Sequence, residues 1–146
     1  MDSIEVFGSS NEKDWCIPPF PFPVESSIAT VMADNKVTVC ANHRHQHGCY
    51  QLSPESRQWI PFPALDQNRV NAAAAWTPRG WWITGGWNLK VLKSSEIYSN
   101  DGHWYPGPNL PIPLSNHCLI EMDYGQTFLA GGYDGRSLRY SNAILI

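Results

Sequence analysis

The stretch Trp81–Asn88, WWITGGWN, joins an apolar run to two consecutive glycines and a further aromatic residue. The same order returns in TFLAGGYDG at 127–135, so Gly85-Gly86 and Gly131-Gly132 stand 46 residues apart. One recurrence of a short pattern decides little, so other landmarks have to share its period. Trp15 in KDWCIPPFPFP, Trp59 in RQWIPFPAL and Trp104 in GHWYPGPNLPIP lie 44 and 45 residues apart, each followed closely by prolines. The alternating segments SIEVF, CYQL, EIY and NAILI place Phe7, Leu52, Tyr98 and Ile144 at steps of 45, 46 and 46. Three separate landmarks with one period, within the range of about 20 to 50 residues, indicate a repeat architecture.

Composition says what each repeat is made of. In 146 residues there are 42% hydrophobic residues, seven Trp, twelve Pro and eleven Gly, which is enough apolar material for one packed domain and reads as short strands broken by turns. The expected fold class is all-β. In the central repeat four strands are predicted at Asn71–Trp76, Trp81–Thr84, Ser95–Ser99 and His103–Tyr105, separated by Pro78-Arg79-Gly80, the double-glycine loop and Asn100-Asp101-Gly102. Asn, Asp and Gly tolerate the left-handed backbone of a tight hairpin. Ala72–Ala75 favours helix by propensity, but too few residues precede the Pro78 turn, so a strand of small side chains is expected.

The period, the double glycine with its aromatic neighbour and the spaced Trp together resemble the kelch repeat, and the resemblance spans nearly the whole chain. It implies blades of four antiparallel strands arranged as a β-propeller. WD40 repeats have a similar length, but their Gly-His and Trp-Asp signatures are missing. The resemblance divides 1–146 into an outer strand pair at 3–17, blades at 28–62 and 70–107, and an incomplete blade at 116–146. The strands number two, four, four and three, one more than three blades need. Known kelch propellers close with five or more blades, commonly six. Two completions are therefore expected: a homodimer forming a six-bladed ring, with the Trp15 strand of one copy finishing the last blade of the other, or missing blades from a longer protein. The start at Met1 favours the dimer; competition between Ser3–Phe7 and Asn142–Ile146 for one place favours the fragment.

The first repeat departs from the pattern, because the register puts Cys40-Ala41 where the other repeats carry glycines. The loop that follows, CANHRHQHGC, alternates His43, His45 and His47 between Cys40 and Cys49. Extended, these histidines would share a face at spacings of about 7 Å, too far apart for one tetrahedral zinc unless the loop curls or Cys40 or Cys49 joins. An ordinary polar loop is the favoured reading, with a metal site and a Cys40–Cys49 disulfide as alternatives.

A formal net charge of -3 without a basic cluster gives no footprint for nucleic acid or an anionic membrane. MDSIEVFGSS shows no signal-peptide pattern and no apolar run is long enough to span a bilayer, so a cytoplasmic protein is expected. Catalytic kelch-like propellers of the copper-containing galactose oxidase type use paired tyrosines and histidines. Tyr98, Tyr105, Tyr124 and Tyr133 match no such set, and neither a nucleophile elbow nor a phosphate loop occurs, so an enzyme is not expected and no cofactor is implied. The resemblance implies protein binding instead, through loops between second and third strands and loops leading into first strands. At those positions stand Asn42, His43, Trp87, Asn88, Tyr133 and Asp134, with Ser26-Ser27, Arg69 to Asn71, Ser115 and Asn116 before the first strands. Ubiquitin-ligase adaptors and actin-binding scaffolds of the family are alternatives; no BTB or F-box domain lies in these residues. Trp15, Trp59 and Trp104 are expected to pack the blades.

Overall fold

A computed structural model describes residues 18–43, 46–53, 55–122, 125–136 and 143–146. The outer strand pair expected at Ser3–Ile17, with Trp15 and Cys16, lies outside the described residues, as do His45, Tyr124 and Asn142. The described residues form antiparallel sheets with no α-helix, so the chain is all-β. It divides into two compact units, 1–62 and 63–146.

The first unit is one sheet of four strands in sequence order, β1 (Ser26–Val31), β2 (Val37–His43), β3 (Gln46–Ser53) and β4 (Gln58–Phe62). Trp59 on β4 stands opposite Leu52 and packs edge-on against Phe20 at 5.0 Å, while its indole N–H donates to the Pro18 carbonyl at 3.0 Å. Phe22 and Tyr50 complete this aromatic cluster. Edge-to-face rings and a satisfied indole let a large side chain be buried without an orphaned donor.

The second unit begins with β5 (Ala73–Thr77) and β6 (Gly80–Thr84), continues through a short ribbon of β7 (Trp87–Asn88) and β8 (Lys90–Val91), and adds β9 (Ser95–Tyr98) and β10 (Trp104–Pro106). Apart from the ribbon, the sheet again follows sequence order, β5-β6-β9-β10. The alanines of β5 are strand, as the crowding of their surroundings requires. A third sheet contains β11 (Cys118–Glu121), β12 (Thr127–Ala130) and β13 (Ala143–Leu145).

Alternation along the strands decides how these two sheets meet. Trp82, Ala73 and the half-buried Ala75 and Ile97 point from the second sheet to Leu119 and Leu129 of the third, and Leu110 and Leu114 from the connecting segment fill the space between. β5 and β11, the first strands of their sheets, lie against one another. On the opposite face of the third sheet, Ile120, Phe128 and Leu145 form a cross-strand apolar row, with Ile120 and Leu145 exposed.

Candidate functional site

The ends of the second and third sheets that carry the double glycines are built alike, residue for residue. Gly85 and Gly86 have φ of 58° and 91°, Gly131 and Gly132 of 67° and 110°, a backbone that a side chain would strain. At Gly85 a Cβ would run into the Leu114 carbonyl and the His117 ring. The turn brings Trp87 back to Val70, with hydrogen bonds in both directions at 2.7 and 3.0 Å, and Tyr133 back to Ser115 at 2.8 and 3.0 Å. The next residues, Asn71 and Asn116, both have φ of 54° and are joined by an Asn116 N–H to Asn71 carbonyl bond of 2.9 Å. Asn is the side-chain-bearing residue that accepts this conformation most readily. A continuous run of backbone bonds therefore sets Trp87, Asn71, Asn116 and Tyr133 in one rim.

Burial sorts the expected rim residues. Trp87 is 46% and Tyr133 38% exposed, Asn71 and Asn116 are exposed, and Asn88 and Asp134 are half-buried. Arg69, expected to face a partner, is 2% exposed and is an internal clamp. Its Nε donates to Glu96 Oε1 at 2.9 Å, its Nη1 to the carbonyls of Gly85 and Ser94, and its Nη2 to Ser94 Oγ. Glu96 also accepts from the Asp66 N–H, so both charges are satisfied away from water. Ser115 is likewise buried, its backbone consumed by the bridge to Tyr133. In the first unit Asn42 is buried within β2 and pairs with Ser26, while His43 lies 3.3 Å from Glu25.

Sequence reasoning missed Leu89, which sits between β7 and β8 with φ of 61° and is 89% exposed. A leucine gains nothing from that conformation or from that exposure within its own chain. It also missed His117, buried beneath both double glycines. Thr84 Oγ1 donates to the Ala73 carbonyl and is placed to accept from His117 Nε2–H at 2.8 Å, which leaves Nδ1 without a hydrogen-bond partner among the described residues. Burial pushes this imidazole down to about 4.

The arrangement is similar to a solved fold. A structure described as "Structure of YjhT" superposes with a TM-score of 0.68 at 17% identity, over 82% of this chain and 37% of that one. The chain thus spans well under half of that protein's length, and the likeness concerns the fold. No family model matches the sequence, and no curated protein matches it.

The histidine loop is resolved by geometry. β2 runs straight through Cys40-Ala41 and pairs with β3 as far as His43 opposite Gln46, and Cys40 and Cys49, directly across from one another, are joined by a disulfide. The polar loop favoured from sequence is corrected to a stapled hairpin, because facing residues of an antiparallel pair are close enough for the bond; the Cα atoms are 4.0 Å apart. Among the described residues no group of three or more His, Cys, Asp or Glu is placed to hold a metal. No helix among them is long and apolar enough to cross a membrane.

Proposed function

We propose that the chain is a segment of a kelch-type β-propeller that binds a partner protein through the rim at Trp87, Leu89 and Tyr133. The observation that carries the reading is Leu89: an almost fully exposed leucine, held at positive φ between two short strands, beside an exposed Trp. Local strain at an exposed apolar tip costs about 1–3 kcal/mol and is a feature of recognition sites. Trp and Tyr beside it are the side chains that most often dominate interfaces, since they bury large area at little entropic cost. The Asn71–Asn116 bond and the Arg69 clamp hold the backbone beneath them, so little ordering is left for binding to impose.

Two observations support blades as the form of the sheets: strands laid down in sequence order, and adjacent first strands where two sheets meet. The apolar row Ile120–Phe128–Leu145, exposed at Ile120 and Leu145, supports a further sheet packing there. The disulfide argues for an oxidising compartment over the cytoplasm expected from sequence, since such bonds are rare in cytosolic proteins.

Immobilised parent and a Trp87→Ala, Leu89→Ser double variant, each exposed to extracts of the same cells, test the rim. A partner captured by the parent and reduced at least tenfold on the variant supports it; equal capture of every partner removes it.

A further inference from the structure

The joint between the second and third sheets closes over a histidine. His117, the residue before β11, is 8% exposed and lies under both double-glycine turns. A Cβ on Gly85 would stand 2.9 Å from the ring's Cε1, and one on Gly132 3.0 Å from the Cβ of His117. The same joint carries the backbone bonds that set the rim: Gly86 N–H to the Leu114 carbonyl at 2.8 Å, Asn116 N–H to Asn71 at 2.9 Å, and Tyr133 N–H to Ser115 at 2.8 Å. Ser115 and Asn116, immediately before the histidine, thus lie in the hydrogen-bonded path from Trp87 to Tyr133.

The surroundings cannot receive a charge. Nε2 is 2.8 Å from Thr84 Oγ1, and Nδ1 is buried with no hydrogen-bond partner among the described residues. A proton on Nδ1 would find no acceptor, and a buried cation without one is costly. β5, β6 and the segment 110–115 contain no charged or titratable residue, and β12 with its turn contributes only Tyr133 and Asp134, whose Oδ1 is taken by the Arg136 N–H. On its own strand stand Cys118 and, at the far end, Glu121, which accepts from Thr127. The charge on the Gly85 turn is Arg69, which holds the Gly85 carbonyl and is paired with Glu96; Lys90 and Lys93 further along are exposed and add only positive charge. A leucine would fill the space equally well at every pH, whereas an imidazole makes the joint sensitive to acid. Burial holds it down at about 4, so an open joint binds a proton that the closed one refuses, and falling pH favours opening.

We infer that His117 is an acid-operated latch of the rim: a proton taken up at its buried nitrogen parts the Gly85-Gly86 turn from the Gly131-Gly132 turn, so that Trp87, Leu89 and Tyr133 hold a partner near neutral pH and release it in acid. The release rests on the rim reading above. Opening brings Nδ1 to water, which supplies the acceptor that the fold does not. It also breaks the Asn116–Asn71 bond that joins the two halves of the rim. The core below, Trp82, Leu110, Leu114, Leu119 and Leu129 among it, contains no titratable group, so the sheets stay packed while their rim end opens.

Amide hydrogen exchange of the full chain at about pH 7 and about pH 4.5, corrected for intrinsic rates, tests the latch without a partner. The Gly86, Asn116 and Tyr133 amides are expected to lose protection about tenfold or more in acid, while those of Ile83 and Ile97 in the second sheet keep theirs. The Cε1–H resonance of His117 should titrate with the same midpoint. In His117→Gln, which can still bond Thr84 but takes up no proton, the rim amides are expected to be equally protected at both pH values. Rim amides that stay protected in acid overturn the inference, as does an equal loss at Ile83 and Ile97. A loss that persists in His117→Gln overturns it too, by placing the response in Glu96 or Asp134. Should that variant not fold, the parent decides alone: an imidazole that titrates apart from the loss of protection sinks the latch. Failure of the rim reading is told apart by the capture experiment, which depends on Trp87 and Leu89 and not on the exchange result.

Discussion

The Cys40–Cys49 hairpin and the Gly85-Gly86 loop occupy the same register position in successive repeats, yet the backbone takes opposite courses through them. At Cys40-Ala41 the strand continues, its side chains are buried, and a covalent bond ties it to its neighbour. At Gly85-Gly86 the strand ends, the chain turns left-handed, and an arginine from a preceding segment holds the turn through two carbonyls and a carboxylate. One connection is fixed by a local crosslink over nine residues, the other by a buried ion pair between residues 27 apart. The difference also decides what is displayed: the stapled hairpin ends at His43 opposite Gln46, whereas the turn releases a ribbon carrying Trp87 and Leu89. A position in a repeat fixes where a connection falls but not the force that shapes it.

Removing the arginine is the most severe way to break the comparison. Arg69→Ala leaves Glu96 buried without its cation and is expected to cost about 3–5 kcal/mol in urea unfolding. Hydrogen exchange should show the loss around Gly85 and Ser94, with amides of β2 and β3 unaffected.

Acid comes next. His117 is neutral in the fold down to about pH 4 and titrates near 6.5 when unfolded, so its contribution is intact above 6.5 and is lost as the pH falls from 6.5 toward 4. The full effect is up to about 3 kcal/mol. His117→Gln should flatten this part of the stability profile, and an unchanged slope would show that the histidine is not the group responsible.

Reducing the disulfide, or replacing both cysteines by serine, relaxes only the hairpin. The chain-entropy treatment of a loop this short gives about 2–3 kcal/mol. Exchange of the β2 and β3 amides should quicken while those of β6 and β9 hold. The smallest effect has the opposite sign: Leu89→Gly relieves the positive φ and is expected to stabilise by at most ~1 kcal/mol while weakening partner capture. A loss of stability instead would mean that Leu89 packs onto its own chain.

Much of the frame was legible beforehand. The strands around Trp81–Thr84 and Ser95–Tyr98 follow from β-propensity bounded by turn residues, which are local properties. The rim was legible only in part, since register finds positions and not burial. Arg69 and Trp87 both fell on the expected edge, and only the carboxylate of Glu96, reached through folding, separates the inward side chain from the outward one. Leu89 gave no signal, because a single leucine in WNLKVL is unremarkable until its backbone is seen at positive φ.

The sequence by itself determined the period, the all-β class and the places of the turns, because strand alternation and glycine spacing are written in neighbouring residues. The tertiary structure alone decided that Cys40 bonds Cys49, that Arg69 turns inward, and that His117 is buried under the double glycines. Each of these depends on which distant groups the fold brings within a few ångströms, and on how much water it leaves between them.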